Sequence, residues 1–89
     1  MITKQITIVN KLGLHARAAA KLVSCASGYG CNVHLQRNGQ RVNGKSIMGV
    51  MMLAASQGSA LEIEVSGKDE TEALEALECL INDRFGEDQ

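Results

Sequence analysis

Gly13-Leu14-His15-Ala16-Arg17-Ala18-Ala19-Ala20-Lys21-Leu22-Val23-Ser24-Cys25-Ala26 is the stretch on which the fold turns. Ala19, Leu22, Val23 and Ala26 recur at i, i+3, i+4 and i+7, which predicts a helix over 16–26. A Gly-containing turn precedes it. His15 therefore falls at or next to a helix N-terminus. The unpaired N–H groups there, with the helix dipole, make a site for an anion. Arg17 on the first turn adds a fixed positive charge and a donor fork that suits phosphate. A neutral imidazole is a good nucleophile. This chemistry reads as a histidine able to accept a phosphoryl group, although a lone histidine at a helix start is often only a solvated cap.

Working outward, residues 2–9 alternate. Ile2, Lys4, Ile6 and Ile8 share one face and Thr3, Gln5, Thr7 and Val9 the other, with the β-branched content of a strand. Gly28 and Gly30 punctuate the end of the helix. Residues 31–37 alternate again: Val33 and Leu35 point one way, Asn32, His34 and Gln36 the other. Asn38-Gly39 is a type I′ hairpin signal, and Gln40-Arg41-Val42 pairs back as a short charged edge strand. Asn43-Gly44-Lys45 forms a turn, and Ser46 is placed as the N-cap of a short helix. That helix is expected to bury Ile47, Val50, Met51 and Ala54. Met48 and Met52 fall on another face, where an exposed pair would suit an adaptable binding surface. Gln57-Gly58 ends the helix. Leu61, Ile63 and Val65 alternate with Glu62, Glu64 and Ser66, the clearest amphipathic strand in the chain. Asp69 and Glu72 are spaced as a capping box. The last helix is expected to bury Ala73, Leu74, Leu77, Leu80 and Ile81, to carry Glu70, Glu75 and Glu78 on a solvated face, and to close at Gly86.

The order is β-α-β-β-α-β-α. Four strands, each with one apolar and one polar face, predict an α+β fold: a two-layer open-faced β-sandwich, its four-stranded antiparallel sheet covered on one side by three helices. Eighty-nine residues are expected to form one domain over 1–89. Only Tyr29 and Phe85 are aromatic, so the core must be aliphatic and a base-stacking platform is disfavoured. No apolar run approaches the ~20 residues of a bilayer span, and no signal peptide opens the chain. Three cysteines, an odd number, fit a reducing compartment. A cytoplasmic protein is expected. Cys25, Cys31 and His34 match no usual zinc spacing, so no metal is expected, and His34 reads as surface decoration.

Charge is segregated along the chain. Residues 1–50 hold Lys4, Lys11, Arg17, Lys21, Arg37, Arg41 and Lys45 with no acid, a charge of +7; the remainder carries −8. A basic face around His15 would steer acidic partners.

Gly13-Leu14-His15-Ala16-Arg17 resembles the active-site motif of the HPr phosphocarriers of the phosphoenolpyruvate-dependent phosphotransferase system. Lys45-Ser46-Ile47-Met48-Gly49-Val50-Met51 resembles the second motif of that family, around its regulatory serine. The spacing of the motifs, the element order and the length agree, so the resemblance covers essentially the whole chain. It implies that His15 takes a phosphoryl group on Nδ1 from enzyme I and passes it to a IIA-type acceptor. It implies that Arg17 and the amides of Ala16, Arg17 and Ala18 hold the phosphate. It implies regulatory phosphorylation of Ser46 by a serine kinase/phosphorylase in some bacteria. Ala18 stands where the family usually has Pro, a residue suited to a first helical turn. Partners are expected to dock over Lys45, Ile47, Met48 and Met52. No cofactor, nucleic acid or membrane insertion is expected, and the chain is expected to be a monomer. Two other readings are a binding protein of the nitrogen-regulatory branch without a transport role and a small nucleic-acid-binding domain. The second predicts salt-sensitive affinity and lacks both aromatics and a motif.

Overall fold

The computed structural model describes residues 1–89. Strand β1 (Ile2–Thr7) leads to helix α1 (Ala16–Ser27), the hairpin β2 (Asn32–Arg37) and β3 (Gln40–Asn43), helix α2 (Ile47–Met52), strand β4 (Ala60–Ser66) and helix α3 (Glu70–Asn82), in the predicted order. A 3₁₀ turn, Arg84–Gly86, follows. The sheet runs β1-β4-β2-β3, with every neighbouring pair antiparallel.

Strand β4 is central because it is the most cleanly two-faced. Leu61, Ile63 and Val65 are fully buried while Glu62 and Glu64 point away from the core. Val65 lies opposite Ile2 on one side and Val33 on the other. A one-residue slip would turn the Glu side chains inward, so this pattern fixes the register. Asn38 and Gly39 both take positive φ, 52° and 81°, as a type I′ turn requires. The inner sheet face, α1 and α3 close over one cluster that includes Ile8, Leu22, Leu35, Leu77, Ile81 and Phe85, all fully buried.

Several expectations are corrected. Strand β1 stops at Thr7 rather than residue 9, yet Ile8 stays paired: it donates to Ser59 O (2.9 Å) and accepts from Gly58 N–H (2.8 Å). Helix α2 buries Val50 alone; Ile47 and Met51 are 44% and 42% exposed, and Ala54 is exposed. The reason is position. This helix packs on α1 and β3 at the rim of the helical layer, so only one side of its six residues meets the core. Its N-cap is as expected, with Ser46 Oγ accepting from Gly49 N–H at 3.2 Å.

The capping box does not form. The Asp69 carboxylate accepts instead from the amides of Gly30 (2.8 Å) and Cys31 (2.9 Å), tying the end of α1 to the start of α3. These bonds, that of Gly30 foremost, hold Asp69 below the usual carboxylate range. Helix α3 ends at Asn82, short of Gly86, and leaves Leu80 only half-buried. The charged halves are partly interleaved. Lys4 pairs with Glu78 at 2.7 Å and Arg41 with Glu64 at 2.5 Å, because antiparallel packing brings early strands against late elements. No helix is long and apolar enough to cross a membrane.

Candidate functional site

Residues 10–14 place the helix start by close backbone packing. Gly13 has φ +68°, and a Cβ there would lie 2.5 Å from Ala55 O, so the position requires glycine. Leu14 N–H donates to Ala55 O at 2.8 Å. Gly13 N–H donates to Asn10 O (3.2 Å), and the Asn10 side chain donates to Gly13 O (2.8 Å). His15 then stands as the N-cap of α1 with extended backbone and no side-chain capping bond. Its carbonyl accepts the first helical bond, from Ala19 N–H. The amides of Ala16, Arg17 and Ala18 therefore donate to no carbonyl of the chain. Ala18 is buried, while Arg17 is exposed and enters no ion pair.

The chain end folds back across this helix start. Phe85 plugs the core at φ 55°, and its carbonyl accepts from Lys21 Nζ at 2.6 Å. Lys11 N–H donates to Gln89 O at 3.1 Å. Between these anchors Glu87 meets His15: one carboxylate oxygen bonds His15 Nε2 and the other accepts from Asn10 Nδ2 at 3.0 Å. The hydrogen bond from His15, more than any other contact, holds the Glu87 carboxyl below its usual range; Asn10 and Lys21 add to this and partial burial opposes it. An ionised carboxylate only accepts. Nε2 therefore carries a proton, and Nδ1, which has no partner in the chain, is the nitrogen left open. An open groove of about 410 Å³ is lined by Lys11, His15 and Arg17 together with Glu87, Asp88 and Gln89. It can take a small, highly charged oxyanion beside a nucleophilic ring nitrogen.

The second motif lies on α2, which packs against α1. Ile47 (44%), Met48 (76%) and Met52 (63%) are exposed with Met51, and Leu12 (67%) adds an apolar side chain from the loop ahead of His15. The Lys45 ammonium donates to Tyr29 O at 2.7 Å, which holds its charge beside α2. His34 sits on the outer sheet face, 4.0 Å from Glu64, and takes no part in the groove. Sequence reasoning brought His15, Arg17 and the three amides together. It missed Glu87, Asn10 and Leu12. A carboxylate after the last helix has no periodicity to betray it. Asn10 looked like any polar loop residue, although it is fully buried.

Comparison with known proteins identifies the family and the fold. A family model described as "PTS HPr component phosphorylation site" matches residues 2–83. The phosphocarrier protein HPr of Cupriavidus necator is 55% identical over 87 residues, with 98% of each chain covered. That of Pseudomonas aeruginosa is 58% identical over 84 residues, with 93% of each covered. The crystal structure of HPr from Thermoanaerobacter tengcongensis superposes with a TM-score of 0.96 at 44% identity, covering all of both chains.

Proposed function

The chain belongs to the HPr family of phosphotransferase-system phosphocarriers, and on that premise we propose that His15 receives a phosphoryl group from phosphorylated enzyme I and hands it to a IIA-type acceptor. The observation that carries this is the ring itself: Nε2 is held by Glu87, Nδ1 has no partner in the chain, and Arg17 lines the same groove as His15. In the first transfer the Nδ1 lone pair forms a bond to phosphorus. The donor's bond to phosphorus breaks, and its electron pair stays with the donor. His15 keeps its Nε2 proton and gains positive charge, which the Glu87 carboxylate offsets, the role a carboxylate plays behind any reacting imidazole. Arg17 and the amides of Ala16, Arg17 and Ala18 face the phosphoryl oxygens, so catalysis is positioning plus electrostatics. The second transfer runs the same steps onto the acceptor nucleophile. A monomer suffices, because the groove is built from one chain and must be open to both partners.

The test is incubation with phosphoenolpyruvate and enzyme I. One acid-labile phosphate per chain is expected, on His15, and none in a His15→Ala variant that still folds. Labelling of His34, or of nothing, would overturn the proposal.

Partners dock, in this reading, on the exposed face of Leu12, Ile47, Met48 and Met52 beside the groove. A negative charge at Ser46, added by a serine kinase or by substitution, then acts on docking and not on folding. In Ser46→Asp the carboxylate can still cap α2, so the melting temperature should hold. A charge set against Met48 repels an acidic partner and resists desolvation. The rate of enzyme I-dependent phosphorylation at low partner concentration should fall by about an order of magnitude. Unchanged kinetics would contradict the docking face, and a collapsed melting transition would contradict the capping role.

A further inference from the structure

The buried amide of Asn10 is a polar group without a packing reason. It is completely enclosed, where a small aliphatic residue would serve the core, and its Oδ1 has no hydrogen-bond partner. An orphaned buried oxygen is a cost that few folded chains retain. The other end of the amide accounts for its presence. Its two Nδ2 hydrogens are divided between Gly13 O, in the turn that sets the helix start, and Glu87 Oε1, whose sister oxygen bonds His15.

Building on His15 as the phosphoryl acceptor, we infer that Asn10 is a positioning residue for the reaction: from inside the core it fixes the Glu87 carboxylate, and Glu87 fixes the imidazole with Nε2–H donating and Nδ1 turned to the groove. The arrangement works as a relay of geometry. Asn10 never reaches the phosphoryl group. It anchors a carboxylate that follows the 3₁₀ turn Arg84–Gly86 to the same turn that carries His15. Amide chemistry is needed here. A carboxylate at position 10 would supply no donor and would place a like charge against Glu87. A partner behind the ring is the usual way a working histidine is oriented, and for metal-bound histidines loss of that partner typically costs about 10–100-fold, the scale expected for His15.

The experiment compares wild type, Asn10→Asp, Asn10→Ala, Glu87→Ala and the double variant Asn10→Asp/Glu87→Ala. Three readouts are taken: the Nε2–H proton resonance of His15, the melting temperature, and transfer from enzyme I at saturating partner. A downfield, exchange-protected Nε2–H signal is expected in wild type, lost in each single variant. Turnover should fall by about 10–100-fold in each, and the double variant should be no slower than Glu87→Ala, because Asn10 acts only through Glu87. The inference fails if the signal is absent from wild type, if a folded Asn10 variant transfers at the wild-type rate, or if Asn10→Asp slows the Glu87→Ala protein further. It also fails if neither Asn10 variant folds, which would make Asn10 a folding residue. Labelling of wild-type His15 is scored separately, so failure of the acceptor assignment is distinguishable from failure of the relay.

Discussion

Arg17→Ala is expected to slow phosphoryl transfer from enzyme I by about 10²–10³-fold while melting with the wild type; that is the loss found when one preorganised donor to a developing oxyanion is removed. Arg17 is exposed on the first turn of α1 and enters no ion pair, so the fold gains little from it. Its guanidinium instead borders the groove that holds His15. During transfer negative charge is concentrated on three phosphoryl oxygens, and a planar donor fork beside them stabilises that state in a way the short amides of α1 cannot replace. Arg17→Lys should recover only part of the rate, because a point charge loses the two-pronged geometry. Rapid-quench measurement of transfer, alongside thermal melting, checks both halves. A large drop in melting temperature with normal transfer would reverse the assignment.

Phe85→Ala is expected to cost about 3–5 kcal/mol, the usual range for deleting a buried phenyl ring. Marginal domains hold only ~5–15 kcal/mol in total, so the melting temperature should fall by about 15–30 °C for a chain of this size. Phe85 is fully buried and sits at φ 55°, a conformation that is unfavourable for a bulky residue. The backbone strain persists because the ring closes the core. The substitution also has a functional consequence. Phe85, two residues before Glu87, anchors the segment that carries Glu87 to His15, helped by the Lys21 bond to its carbonyl. At temperatures where Phe85→Ala is still folded, transfer should therefore be slower than in wild type. Denaturant melts and transfer rates taken below the transition measure the two effects. A near-native melting curve would mean that the ring does not close the core.

Much of the fold was legible because its signals are local. Period-two alternation in 61–66, the Asn38-Gly39 turn and the 3.6-residue spacing after His15 each report on residues a few positions apart. What went wrong was also local in origin. Asp69 has the spacing of a capping box, but its carboxylate found the Gly30 and Cys31 amides 38 to 39 residues away. Ile47 and Met51 have the spacing of a buried stripe, but α2 lies at the rim, where there is no second layer to bury them. A pattern states which residues share a face; it does not state whether anything covers that face.

The same division runs through the site. By itself the sequence determined that His15 begins a helix, that Arg17 lies in its first turn, and that Ser46 caps a second helix, since caps and first turns are decided by neighbours in the chain. Only the tertiary structure decided which ring nitrogen is open. That depends on Glu87, 72 residues from His15, and on a buried Asn10 that reaches it across 77. Hydrogen bonds of that span exist only after the core has closed around Phe85 and turned the chain end back over the start of α1, and no periodicity in the sequence encodes where such an end will land.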